Sequence, residues 1–128
     1  MSKKTLRILG WSLTTILSLL FIFSASAKLS MNEMAVAQSS SMGFSPSAYR
    51  MIGVVEILSL ILFIIPRTGT LGAFLLSAYM GGAIATHLQH QQPAGIAVAV
   101  QILLWITIVI RFPEFLERLK GFRKQPTE

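Results

Sequence analysis

Four apolar stretches of about 20 residues each divide this chain, separated by prolines, basic residues and a glutamine-rich loop. At ~1.5 Å per helical residue, a stretch of that length reaches across a hydrocarbon core ~30 Å thick. Backbone inside lipid has no water to bond, so such stretches fold as helices packed side by side. The predicted spans cover residues 6–28, 46–65, 69–87 and 94–112, give or take a residue or two, in one domain over 1–128. Ser45 and Pro46 suit the N-cap and first helical position of the second span, while Pro66 and Pro113 stop the second and fourth. The fold class that follows is all-α: a transmembrane four-helix bundle with a short outer-surface helix and a C-terminal interfacial helix.

The two accessory helices come from local signals. Ser30-Met-Asn-Glu33 fits a capping box and predicts a helix from Met31 to about Gln38, ahead of a turn over Ser39–Gly43. After Pro113, the apolar residues Phe115, Leu116, Leu119 and Phe122 recur at helical spacing, with Glu114 and Arg118 as an i, i+4 pair. An amphipathic tail over 113–122 resting at the cytoplasmic interface is the expectation.

Charge supports the membrane reading and removes others. Only 12% of residues are charged, about half the ~25% of a soluble domain. The absence of cysteine excludes disulfides, thiolate metal sites and dithiol redox chemistry. The net charge of +6 does not point to nucleic acid, because the basic residues flank the apolar stretches as juxtamembrane anchors. One side of the predicted topology carries Lys3, Lys4, Arg7, Arg67, Arg111, Arg118, Lys120, Arg123 and Lys124; the other carries Lys28 and Arg50. Nine against two places both termini in the cytoplasm. The competing reading is a signal peptide cleaved after Ala25-Ser-Ala27, but the apolar run from Ile8 to Phe23 is longer than the ~7–15 residues of a signal core.

Glu56 lies in the middle of the second span, where a carboxylate costs roughly 2.5–3.5 kcal/mol on insertion scales. Its partner should sit at similar depth. Lys28, His87 and Gln101 all fall between the outer rim and the midplane, with Tyr79 near mid-membrane. Together they predict a polar pocket in the outer half of the bundle, with Lys28 or Gln101 paired to Glu56. A network that only fixes helix register is the alternative. His87 and His90 are i, i+3, but two ligands do not make a metal site, so no metal is assigned. Trp11 and Trp105 read as packing residues. In the third span Gly69, Ala73, Ser77, Gly81 and Ala85 recur every fourth residue beside Gly82. That ridge predicts close helix packing in the bundle centre, with Gly81 and Gly82 either at helix contacts or lining the pocket, and a homo-oligomer face as the alternative.

Several of these segments also resemble one family. Ala27-Lys28-Leu29, Gly43-Phe-Ser-Pro46, Ile52-Gly-Val-Val-Glu56-Ile57, Ile65-Pro-Arg-Thr68 with Leu71-Gly-Ala73, Gly82-Ala83 and Thr86-His87 are similar to the DoxX-like family of small bacterial membrane proteins. The resemblance covers about Ser24 to Arg111. It implies a four-helix bundle in the bacterial cytoplasmic (inner) membrane. It also implies a link to thiosulfate:quinone oxidoreductase subunits and other redox complexes. The chain would then be a non-catalytic subunit, with a quinone headgroup held by Glu56, Lys28 and Gln101. Two further readings stand beside it: a small-solute or proton-coupled transport unit centred on Glu56, and a structural or assembly protein.

Overall fold

Six helices make up the computed structural model, which describes residues 1–121. They are α1 (Lys3–Ser30), α2 (Glu33–Ser41), α3 (Pro46–Ile64), α4 (Gly69–Gln89), α5 (Gly95–Arg111) and α6 (Pro113–Leu119). The expected tail residues Phe122, Arg123 and Lys124 lie outside the described residues.

Three helices, α1, α3 and α4, are long and apolar enough to cross a membrane by length and composition. α5 is shorter, its 17 residues reaching ~26 Å at ~1.5 Å each. It turns through 103° at Pro113 into α6, and the two make a fourth candidate span if the bent pair is counted as one. Phe115 of α6 folds back on Trp105 and Phe74, at ring separations of 5.7 and 5.5 Å. The expected Glu114–Arg118 pair does not form: both side chains are exposed, where water competes, and Lys28–Glu56 is the one ion pair among the described residues.

The four long helices pack as a square in chain order, the backbone of each close to its two neighbours, with only side chains reaching across the diagonals. At one end Arg111 reaches the C-terminus of α3, Gly69 meets Phe112, and Gly10 lies against Ile110. At the other end α2 bridges α1 and α3, and Gln92 donates a 2.9 Å hydrogen bond to Ser41. Consecutive helices are therefore antiparallel. Leu17, Phe21, Leu60, Phe63, Leu76, Leu104 and Ile108 fill the interior, while Leu19, Phe23, Leu58, Phe74 and Ile102 stay exposed on the outside. Buried Thr14, Ser59 and Thr107 each donate to the carbonyl four residues back, at 2.7–2.8 Å. Those hydroxyls are satisfied within their own helices and tie nothing together.

Two local expectations need correction. The N-cap of α2 is Asn32, whose side chain accepts from Ala35 N at 2.8 Å. Ser30 cannot serve, because α1 continues through it and its hydroxyl donates back to Ala27 O; Met31, at φ 50°, makes the turn instead. The small-residue ridge of α4 packs only at its first half. Gly69 and Ala73 are buried, and a Cβ on the adjacent Gly72 would collide with the backbone of Phe63. Gly81 and Ala85 are exposed, and a Cβ on Gly81 or Gly82 would meet nothing. At 3.6 residues per turn, each four-residue step turns about 40°, so the ridge winds about 160° around the helix and leaves the interface. Ser77 sits at the crossover, half-buried.

Candidate functional site

Glycine at position 53 sets the site up. A Cβ there would stand 3.0 Å from Lys28 Cβ and 3.4 Å from Ala25 O, so the bare backbone eases a close approach of α3 to α1. Glu56 lies one turn further along the same face of α3, and Lys28 one turn beyond Ala25 on α1. The close approach brings Lys28 Nζ to 3.0 Å from Glu56 Oε2. The side chains are 12% and 1% exposed, so this is an ion pair withdrawn from water. Tyr79, on α4, donates its hydroxyl to the same Oε2 at 3.0 Å. Three of the four long helices thus meet at one carboxylate oxygen.

The ammonium is held from every side. Its remaining hydrogens go to Ser24 Oγ and, at 3.5 Å, to Ser24 O one turn back on α1. The rings of Tyr49 and Tyr79 flank it at 5.7 and 5.9 Å, within cation–π range. Phe21 braces Tyr79 edge-on at 6.3 Å.

This cluster forms the floor of a cavity of about 610 Å³ at the α2 end of the bundle. Its walls are largely apolar, with Phe21, Ile52, Met80 and Val100 prominent, and Met42 and Phe44 stand at the α2 side. His87 and Gly82 also line it. His87 Nδ1 lies 2.7 Å from Ala83 O. A carbonyl can only accept, so Nδ1 carries the hydrogen and, in the neutral ring, Nε2 is the acceptor. His90 is exposed and bonds back to Thr86 O, apart from His87's environment.

Gln101 does not join the cluster. It donates to Ser77 O and Ser77 Oγ at 3.3 and 3.2 Å, across the α4–α5 contact, and its Oε1 is buried without a partner. Depth alone placed it near Glu56; its direction from α5 sends it to Ser77, which lies on a different face of α4 from Tyr79.

Residues 12–110 of the chain match the DoxX-like family, which is most of its length. The chain belongs to the DoxX-like family. Neither the curated proteins nor the solved structures include one that matches it at a significant level. With its apolar helices, this DoxX-like chain is a small multi-pass integral membrane protein.

Three contributions to the DoxX-like chain's architecture carried no usable signal in sequence. Ser24 and Tyr49 surround Lys28, yet a serine in an apolar span and a tyrosine near its end are ordinary. Arg111 reads as a surface anchor but turns inward. Its guanidinium donates to Phe63 O at 2.5 Å and to Ile64 O at 2.8 Å, the orphan carbonyls at the end of α3. It also stacks on Trp11 at 4.3 Å and Phe63 at 4.9 Å. The one available clue for Arg111 was its place directly before Phe112-Pro113, which turns the chain back onto the bundle.

Proposed function

We propose that this protein is a non-catalytic subunit of a redox or quinone-linked membrane complex, and that its pocket receives a quinone-class headgroup. The observation that carries this reading is the position of the Lys28–Glu56–Tyr79 cluster: it floors a largely apolar cavity of about 610 Å³. A carboxylate needed only to pin helices together has no use for a cavity. Ligand pockets run from about 300 to 1,000 Å³ and combine apolar walls with a few convergent polar groups. A substituted six-membered ring with an isoprenoid tail has that chemistry: polar atoms for the floor and hydrocarbon for the walls. Without cysteine, the chain itself supplies no thiol couple.

The basic residues support a topology in which the end bearing Arg7 and Arg111 faces the cytoplasm of a bacterial inner membrane. The pocket would then open toward the opposite side. The test is purification in mild detergent, followed by lipid extraction and mass spectrometry. Wild-type protein should carry a quinone in near-stoichiometric amount, and a folded Lys28→Met/Glu56→Gln double variant should lose it. Equal quinone content in both, or none in wild type, would contradict the proposal.

A further inference from the structure

The cavity lies at the α2 end of the bundle, yet that end is strapped across. The α2–α3 turn and the α4–α5 turn meet there: Gln92 donates to Ser41 Oγ at 2.9 Å, and a Cβ on Gly43 would stand 3.4 Å from His90 Nε2. Gln38, Met42 and Phe44, from α2 and the turn after it, line the cavity on the same side. The mouth toward water is thus bridged by two turns that hold each other.

The side wall is open instead. Ala78 and Gly82 lie one turn apart on α4; both line the cavity and both are exposed. They precede Gln89, the last residue of α4, by eleven and seven positions, which sets them ~16 and ~10 Å below that end at ~1.5 Å per residue. Leu20 on α1 also lines the cavity, is 45% exposed, and sits ten positions before the end of its helix. In a hydrocarbon core ~30 Å thick, side chains exposed at such depth face acyl chains and not water. Gly82 has no packing reason to be glycine: a Cβ there would meet nothing within 4 Å, whereas one on Gly72 would strike Phe63. Nor is its φ positive. What the missing side chain leaves is a low threshold in the α4 wall, between the cavity and the lipid.

We infer that the cavity is loaded sideways from the bilayer, over Ala78 and Gly82, by an amphiphile whose polar head enters while its hydrocarbon chain stays among the lipids. This rests on the quinone-class reading only for the identity of the head. A water-borne solute would have to cross hydrocarbon to use the same route, whereas an amphiphile already dissolved in the bilayer would not. Sideways loading therefore separates this protein from a carrier of aqueous solutes.

The chain has no cysteine, so one introduced thiol carries a nitroxide label at a chosen position. Gly82→Cys and Ala78→Cys would be labelled in nanodiscs of quinone-free lipid. Leu58→Cys, at an exposed site on α3, serves as the lipid reference, and Glu33→Cys, exposed at the start of α2, as the water reference. Power-saturation spectra then read collisions with oxygen, which concentrates in hydrocarbon, and with a nickel chelate, which stays in water. Labels at 78 and 82 should collide with oxygen as often as the label at 58 and be shielded from nickel. Decylubiquinone should slow the motion of the label at 82, and the same headgroup without its decyl chain, at equal concentration, should not. If Gly82→Cys does not fold, Ala78→Cys gives the same reading. Nickel collisions at the level of position 33, or neither collider reaching 78 and 82, would overturn the inference while leaving the quinone-class reading standing. Equal slowing by the tail-less headgroup would overturn it as well. Lipid-type collisions without any response to decylubiquinone would uphold the sideways opening and count against the quinone class.

Discussion

Removing Lys28 should damage this protein more than removing both Lys28 and Glu56. The carboxylate is 1% exposed and the ammonium 12%, so the ~0.2–1 kcal/mol of a surface ion pair does not apply. Stranding one member of a buried pair costs about 3–5 kcal/mol, whereas replacing the pair with neutral groups is often close to neutral. The two single variants should also differ. In Glu56→Gln the surviving ammonium is the more exposed of the two and can extend its stem toward water, which puts that cost near the lower figure. In Lys28→Met the carboxylate is left deep, with Tyr79 as its remaining donor at 3.0 Å, which puts that cost near the upper figure. The double variant should fall within about 2 kcal/mol of wild type, giving a coupling of about 6 kcal/mol. Reversible unfolding in mixed micelles, titrating a denaturing detergent against a mild one, reads all four proteins on one scale. Additive losses would refute the argument, because they would mean that neither charge depends on the other.

Other outcomes follow from the same geometry. Gly72→Ala should destabilise the fold strongly, by several kcal/mol, because its Cβ would meet the backbone of Phe63; Gly81→Ala should leave the melting temperature unchanged. Arg111→Lys should cost about 2 kcal/mol in the same unfolding titration, since a point charge cannot reach both Phe63 O and Ile64 O in the planar fork that now caps α3. Gln101→Leu should lie within about 1 kcal/mol of wild type, as the loss of two long bonds to Ser77 is offset by removing the unpaired Oε1. Reporter fusions at Glu128 and in the segment between α1 and α3 should report opposite sides of the membrane, with the C-terminus cytoplasmic.

The sequence revealed depth well and direction poorly. Helix boundaries at these prolines were legible because Pro46 suits the first position of a helix, while Pro66 and Pro113 cannot continue one, whatever the surroundings. The Lys28–Glu56 pair was legible because two opposite charges at one depth in an apolar bundle have few other partners. Gln101 shared that depth, yet its azimuth around α5 turned it to Ser77, and nothing in one sequence reports azimuth without an interior to refer it to. The α4 ridge misled for a related reason: a strict four-residue repeat looks like a stripe in text but winds around a helix of 3.6 residues per turn. Asn32 displaced Ser30 as the α2 cap because α1 ran two residues further than its apolar pattern.

The central claim is that a quinone-class ligand occupies the cavity above Glu56, and photoaffinity mapping tests it most directly. Protein in nanodiscs would be illuminated with an azido-substituted short-chain quinol analogue, digested, and the modified residues located by mass spectrometry. Labels should fall on the cavity wall, in the stretches around Ser24, Tyr49 and Ala83, and should diminish when unlabelled quinol competes. Labels confined to the lipid-facing side chains Leu19, Phe23 and Leu58, unaffected by competitor, would contradict it.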